Sequence, residues 1–307
     1  MKKAIVSGAT GAIGMALINE LTSNHVDVLV LARKSGRWER IPTHPQISLL
    51  LCELDELSRL RNNTGTGFDV FFHLAWAGTS GEARNDAALQ EKNIRYALDA
   101  VALAHRFGCS RFVGVGSQAE YGRVEGPLTP TTPAFPENGY GIAKLASGQL
   151  TRIEAARLGL SHVWARVLSV YGPFDSEGAL VTSTVRKLLA GERPRFTKGE
   201  QLWDLLYSKD AARALRLLGE RGQDGAVYPL GSGRARPLKE FIQTIGRIVN
   251  PRVPLSFGEI PYAPRQVMHL EADISALTRD TGFVPTTSFE DGVRETAAWA
   301  THSHRPL

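Results

Sequence analysis

Apolar residues fall into two rhythms along the first half of the chain. Short, mostly apolar runs, Ala4-Ile5-Val6, Val26 to Ala32, Ile47 to Cys52, Phe68 to Ala75 and Arg111 to Gly116, have the length and composition of buried strands. Between them, Met15 to Leu21 and about Asp86 to Phe107 have helical character, and a short helix ends near Leu60. Gly108 marks the C-terminal stop of the long helix, and Gly65-Thr66-Gly67 forms the loop into the fourth strand. Strands that alternate with helices predict an α/β fold on a doubly wound parallel sheet.

Beyond about residue 170 the alternation becomes less regular. A helix from about Ala179 to Ala190, a turn at Gly191-Glu192-Arg193-Pro194, a short strand near Arg195-Phe196 and a closing helix from about Phe289 to Ala300 predict a smaller α/β lobe. A site in the cleft between the two parts is expected. The tail over 301–307 is expected to fray.

The turn between the first strand and the first helix, Ser7-Gly8-Ala9-Thr10-Gly11-Ala12-Ile13-Gly14, has the context that a dinucleotide fingerprint needs. Gly8 permits a tight turn, Gly11 lets the backbone approach a pyrophosphate, and Gly14 lets helix and strand pack closely. The helix N-terminus offers free N–H groups and a positive dipole end to the phosphates. In a nicotinamide-binding fold, an acid at the end of the second strand bonds the adenine ribose 2′-hydroxyl of NAD. Here that end carries Ala32-Arg33-Lys34, and Asp27 lies at the other end. Arg33 and Lys34 suit the 2′-phosphate of NADP, so NADP (as NADPH) is expected ahead of NAD.

Composition narrows the partners. The 307 residues are 43% hydrophobic and 22% charged, ordinary values for a globular protein. No stretch approaches the length of apolar chain that spans a membrane, and the basic Met1-Lys2-Lys3 is followed by no signal-peptide core. With only Cys52 and Cys109, no disulfide framework or cysteine-rich metal site is available, and a cytoplasmic location is the default expectation. The net charge of +5 is modest, and its tightest groups, Arg33-Lys34 with Arg37 and Arg234 with Arg236, are not interleaved with aromatics. Nucleic acid is therefore not expected as a partner; anionic small molecules are.

Tyr140 and Lys144 stand four residues apart at the start of a predicted helix, so their side chains share a face. A phenol of ordinary pKa, about 10, transfers protons poorly at neutral pH. A neighbouring ammonium favours the phenolate, so Lys144 is expected to lower the pKa of Tyr140. Ser117 closes the fifth strand, where its hydroxyl can bond a substrate oxygen. Pro127, Pro130, Pro133 and Pro136 predict a stiff extended loop that delivers Tyr140.

Taken in order, Gly8-x-x-Gly11-x-x-Gly14, His73-Leu74-Ala75, Asn93, Ser117-Gln118-Ala119-Glu120-Tyr121-Gly122, Tyr140-Gly141-Ile142-Ala143-Lys144 and Arg166-x-x-Ser169-x-Tyr171-Gly172-Pro173 resemble the extended short-chain dehydrogenase/reductase family. That family comprises nucleotide-sugar epimerases, dehydratases and reductases, and the resemblance runs to about Thr296. It implies a Rossmann domain over 1–170, rejoined by about 203–231, and a substrate lobe over 171–307. It implies Ser117, Tyr140 and Lys144 as the catalytic group, with Tyr140 protonating a carbonyl oxygen as hydride arrives and Lys144 reaching the nicotinamide ribose.

The cofactor contacts it implies are Gly8, Thr10, Gly11, Ala12, Ile13 and Gly14; Arg33 and Lys34; Glu53 and Leu54 near adenine; Leu74, Ala75 and Trp76; Asn93, which steadies the active-site helix; and Val167 and Ser169. Trp76 stands where the family usually has a small residue. Trp76, Gln118 and Ser169 are implied around the substrate, a nucleoside diphosphate sugar, with Arg195, Arg265 and Lys198 as candidates for its diphosphate. A homodimer through the helices near 86–107 and 140–158 is implied as well.

The family's 4,6-dehydratases carry an Asp-Glu pair where this chain has Gln118-Ala119, which disfavours dehydration. Its NAD-retaining epimerases show the acid after the second strand, which is absent. The Ser117 to Gly122 motif and Gln266-Val267-Met268 resemble reductases of nucleotide-linked 4-keto-6-deoxysugars. NADPH-dependent reduction of a 4-keto group is therefore expected, with an NAD-dependent epimerase as the alternative. A non-catalytic NADP sensor is a further alternative, distinguished by loss of the tyrosine or lysine, and both are present.

Overall fold

The computed structural model describes residues 1–62, 65 and 67–302. Thr66 of the expected 65–67 loop and positions 303–307 of the expected frayed tail lie outside them. The first half holds β1 (Lys3–Ser7), α1 (Ala12–Ser23), β2 (Asp27–Ala32), β3 (Ile47–Leu51), β4 (Val70–His73), α2 (Ala87–Arg106), β5 (Arg111–Ser117), α3 (Gly139–Arg157) and β6 (Ser161–Val167). There follow β7 (Ser169–Tyr171), α4 (Leu180–Leu189), β8 (Leu202–Trp203), β9 (Leu205–Tyr207), α5 (Ser208–Arg221), β10 (Val227–Leu230), β11 (Arg236–Pro237), α6 (Leu238–Val249), β12 (His269–Leu270), α7 (Ser275–Thr281) and α8 (Phe289–His302). The ends of α2 have local causes. Asp86 caps its start by accepting from the Leu89 N–H, and Gly108 takes a left-handed φ of 76° just past its last turn.

Seven parallel strands form one sheet in the order β10-β6-β5-β4-β1-β2-β3. The chain moves outward from β1 through β2 and β3, then crosses to β4 and moves outward the other way. That reversal opens a crevice at the C-terminal ends of β1 and β4, the place where doubly wound sheets bind ligands. On one face Leu17 and Ile18 of α1 and Leu215 and Leu218 of α5 cover Val6, Val30 and Phe72. On the other, Ala100, Leu103 and Ala104 of α2 cover Ile5, Phe71 and Phe112. Both faces are thus buried, which is why these strands are continuous apolar runs.

The remaining elements build a lobe whose core joins Val185 and Leu188 of α4, Phe241 and Ile245 of α6, and Phe289 and Val293 of α8. The short strand expected near Arg195-Phe196 is reduced to one isolated bridge between Arg195 and Ser256. No helix among the described residues is long and apolar enough to cross a membrane.

Candidate active site

The glycine turn lies at the floor of the crevice, and each glycine is there for a different reason. Gly8 has φ 80°, and a Cβ on it would lie 2.5 Å from the Ala75 nitrogen. A Cβ on Gly14 would lie 2.3 Å from the Gly8 oxygen, so α1 packs on the turn only without one. Gly11 is the N-cap of α1, with open space where its Cβ would stand and no side chain capping the helix. The first-turn N–H groups therefore face the crevice, an arrangement that fits a pyrophosphate. His73 closes the floor beneath, its Nδ1 paired at 2.9 Å with the Ser7 hydroxyl, and burial pushes its pKa down to about 3, so it stays neutral.

One arm of the crevice, about 580 Å³, runs from this turn toward the end of β2. Thr10, Ala12, Leu54, Leu74 and Ala75 line it, and Arg33, Ser35, Arg37 and Arg40 ring its far end. Two expected contacts are placed elsewhere. Lys34 turns away to an ion pair with Glu56 at 3.2 Å. Glu53 caps the short helical turn Leu54–Arg59 and accepts from the Ser35 N–H and hydroxyl, each at 3.2 Å. The charge next to Lys34 in space, and not its neighbour in sequence, decides where it points.

The other arm, about 310 Å³, reaches Ser117, Tyr140 and Lys144, with Ile13, Trp76, Val167 and Asp175 along its walls. Asn138 caps α3 by accepting from the Gly141 N–H at 2.8 Å, so α3 starts just ahead of Tyr140 and directs it into the arm. Ser117 stands beside Tyr140 and draws its phenol pKa down. The Lys144 ammonium is buried, donates to the Val115 carbonyl at 2.6 Å and lies 3.8 Å from the centre of the Trp76 indole. It is 5.8 Å from the centre of the Tyr140 ring. Burial pushes Lys144 down to about 7, against the pull of the Glu120 carboxylate. Burial also pushes Tyr140 above its ordinary value, with Ser117 and the Arg84 guanidinium pulling it back and Glu120 adding to the rise. The Arg84 guanidinium carbon lies 4.2 Å from the centre of the same ring.

Asn93 does not face the crevice. It is buried, and its amide accepts from the Ala77 N–H at 3.0 Å and donates to the Ala77 carbonyl at 2.9 Å, fixing the chain after Trp76. The Ser169 hydroxyl accepts from the Trp203 indole N–H at 2.8 Å, which ties β7 to β8. Gln118 begins the turn that follows Ser117 and is half-buried, while Arg195, Lys198 and Arg265 are exposed on the lobe and border neither arm.

Four features escaped the sequence reading. Arg84 had no motif around it. Glu120 stood inside a motif but was given no task. Phe174 and Asp175 directly follow the Arg166 to Pro173 motif; Phe174 is left-handed at φ 66°, and burial pushes the Asp175 carboxyl up to about 6. Arg37 and Arg40 lie only a few residues past Arg33, and their charge was the available signal.

A β1–α1 glycine turn, a topological crevice beside it, and a serine, tyrosine and lysine at its end define a Rossmann-type dinucleotide enzyme of the short-chain kind. A family model confirms that class over residues 4–231: the chain belongs to the NAD dependent epimerase/dehydratase family. It is 25% identical to dTDP-glucose 4,6-dehydratase of Salmonella typhimurium, over 97% of this chain and 92% of that one. Among solved structures, UDP-N-acetylglucosamine 4-epimerase from Methanobrevibacter ruminantium shares the fold with a TM-score of 0.88 at 23% identity, covering 98% of this chain and 99% of that one. UDP-glucose 4-epimerase from Thermotoga maritima gives 0.87 at 22%, covering 99% and 100%.

Proposed function

We propose that the protein reduces the 4-keto group of a nucleoside diphosphate 4-keto-6-deoxysugar with NADPH. The observation that carries this reading is the polarity of the crevice: a ring of Arg33, Arg37 and Arg40 at one end, Ser117, Tyr140 and Lys144 at the other. When bound, the nicotinamide supplies hydride to the carbonyl carbon. Tyr140 gives its phenolic proton to the carbonyl oxygen, so C=O becomes CH–OH. Ser117 holds that oxygen by a hydrogen bond while the charge on it develops. Lys144 binds the nicotinamide ribose. Arg33 and Arg37, with Arg40 behind them, pair with the 2′-phosphate. Although curated relatives are 4,6-dehydratases, Gln118 and Ala119 offer no carboxyl group for the extra proton transfers of dehydration.

The same reading divides the chain at about residue 170, with 203–231 returning to the first domain, and places the sugar between the two parts. The return of β10 to the edge of the large sheet beside β6 supports that division. So does the packing of α5 on the large-sheet face shared with α1.

The test is oxidation of NADPH and NADH with freshly generated CDP-, dTDP-, GDP- and UDP-4-keto-6-deoxyhexoses. Consumption of NADPH with at least one of them is expected. Oxidation of neither cofactor with any of them would overturn the reading, and exchange of sugar configuration with retained NAD would replace it by the epimerase. Arg37→Ala should raise the KM for NADPH about tenfold or more, the worth of a charge-assisted hydrogen bond, and leave the KM for NADH within about threefold. Equal effects on both would remove Arg37 from the phosphate site.

A homodimer belongs to the same proposal. On α3, Ile142, Leu150 and Ile153 are exposed, and Ile153 keeps 62% of its surface open. A charge at its centre should split such an interface. Ile153→Glu is expected to halve the mass seen by light scattering after gel filtration; a wild-type protein that is already monomeric would refute the interface.

A further inference from the structure

We propose that Asp175 closes the junction of the two arms over the cofactor pyrophosphate as a neutral acid, donating a hydrogen bond to a phosphate oxygen, so that the dinucleotide binds together with a proton. This rests on the reading of the crevice as the NADPH site. Among the described residues, Asp175 is the one ionisable side chain that lines both arms. Gly8, Gly11 and Ala12 of the glycine turn line both as well. A dinucleotide that runs from the arginine ring to Tyr140 therefore carries its pyrophosphate between that turn and Asp175.

The segment that carries Asp175 is tied down on both sides. Phe174 holds a left-handed φ of 66°, rare for a bulky side chain and a mark of a backbone fixed by its surroundings. Its ring packs on Trp299 of α8 with centres 5.5 Å apart, and the Arg40 guanidinium carbon lies 6.0 Å from its centre. The Asp175 N–H donates to the Gly172 carbonyl at 3.3 Å, and Asp175 Oδ1 accepts from the Ser176 N–H at 2.7 Å. Two residues on, Glu177 is paired with Arg186 of α4 at 3.3 Å. A carboxylate held in this way cannot swing aside from an incoming pyrophosphate and would repel it. A proton removes the repulsion and turns an acceptor into a donor.

The other ionisable groups along the arms come from three elements. Arg33, Arg37 and Arg40 follow β2, and Cys52 follows β3 with its thiol pushed up to about 11 by burial, so it stays neutral. Tyr140 and Lys144 come from α3, the ammonium committed to Val115 and Trp76. From α1 only Ala12, Ile13 and Gly14 reach the arms. Burial pushes the Asp175 carboxyl up to about 6, and the Ser176 N–H pulls the other way. In the free protein the group is therefore ionised above neutral pH, and bound phosphates raise its pKa further. Binding favours the protonated form, so affinity is full below about pH 6 and falls about tenfold per pH unit well above it.

Isothermal titration calorimetry with NADPH and with NADH at pH 7.5, in HEPES and in Tris, counts the protons taken up. About one per cofactor is expected, and Kd should rise about tenfold between pH 7.5 and 8.5. The 2′-phosphate is already ionised over that range and is absent from NADH, so it does not supply the signal. Asp175→Asn donates at any pH. It should take up about half a proton less, or fewer still, and bind NADPH about tenfold or more tighter than the wild type at pH 8.5. Asp175→Ala should lose the same uptake and bind more weakly than Asp175→Asn, which keeps the donor. No uptake by the wild type, an uptake unchanged in folded Asp175→Asn (which would assign it to Lys144), or equal affinities of the two variants would each overturn the proposal. Binding of neither cofactor would overturn the reading of the crevice itself, whereas binding without a proton overturns only the role of Asp175.

Discussion

Tyr140→Phe is expected to lower turnover by about 10³–10⁴-fold and to leave cofactor binding within about threefold, the loss that follows from removing one general acid. The substitution deletes a single oxygen. The ring that remains keeps its face under the Arg84 guanidinium and its edge against Trp76, so the start of α3 holds its shape. The Ser117 hydroxyl keeps its hydrogen bond from the Ala119 N–H at 3.2 Å. Tyr140 is not among the walls of the arginine-ringed arm, so that arm keeps its lining. Steady-state assay with the keto sugar that the wild type accepts, beside fluorescence titration with NADPH, separates the two effects. Unchanged turnover would remove Tyr140 from the reaction, and lost NADPH binding would assign it to the cofactor instead.

Glu120→Ala should destabilise the fold by about 3–5 kcal/mol, because it leaves a buried charge without its partner. Glu120 is 0% exposed and Arg166 only 5%. The carboxylate accepts from Arg166 Nε at 2.6 Å, from the Trp164 indole N–H at 3.0 Å and from the Ser117 N–H at 2.8 Å. All three donors are stranded by the substitution, in a region too dry to rehydrate them cheaply. Thermal unfolding should show Tm lowered by roughly 5–10 °C. Glu120→Ala combined with Arg166→Met should recover more than half of the loss, since breaking an ion pair costs more than replacing it. A Tm within 2 °C of the wild type, on the order of 1 kcal/mol for a chain this long, would mean that the pair contributes nothing net. The pair also bears on the site, because it anchors the backbone of Ser117 from behind. Gly116 makes room for it: a Cβ there would lie 2.2 Å from Glu120 Oε1.

These two residues show how unevenly the site could be read. Tyr140 and Lys144 were legible because helical spacing alone puts them on one face. The glycines of the first turn were legible because each answers a local steric demand. Glu120 was not, although it stands three residues after Ser117, because its partners Trp164 and Arg166 lie on a strand more than forty residues away. That strand, β6, carried no clear signal either. His162 and Arg166 interrupt its apolar run, and both are buried, His162 stacked between Phe112 and Trp164 and Arg166 paired with Glu120. The helix α6 is a plainer omission, since Leu238, Phe241, Ile242 and Ile245 repeat at helical spacing.

From the sequence alone came the doubly wound sheet, the dinucleotide turn, and the serine, tyrosine and lysine that meet at its far end. Backbone geometry repeats with a fixed period, so spacing is enough to say which side chains share a face and where a glycine is required. The tertiary structure decided which charge acts on which group. It turned Lys34 to Glu56, gave Lys144 to Trp76 and Val115, and brought Arg84 to Tyr140 from fifty-six positions earlier in the chain. Those choices depend on distances of a few ångströms between segments remote in sequence. Electrostatic interactions fall off over that same range, so only the packed fold can set them.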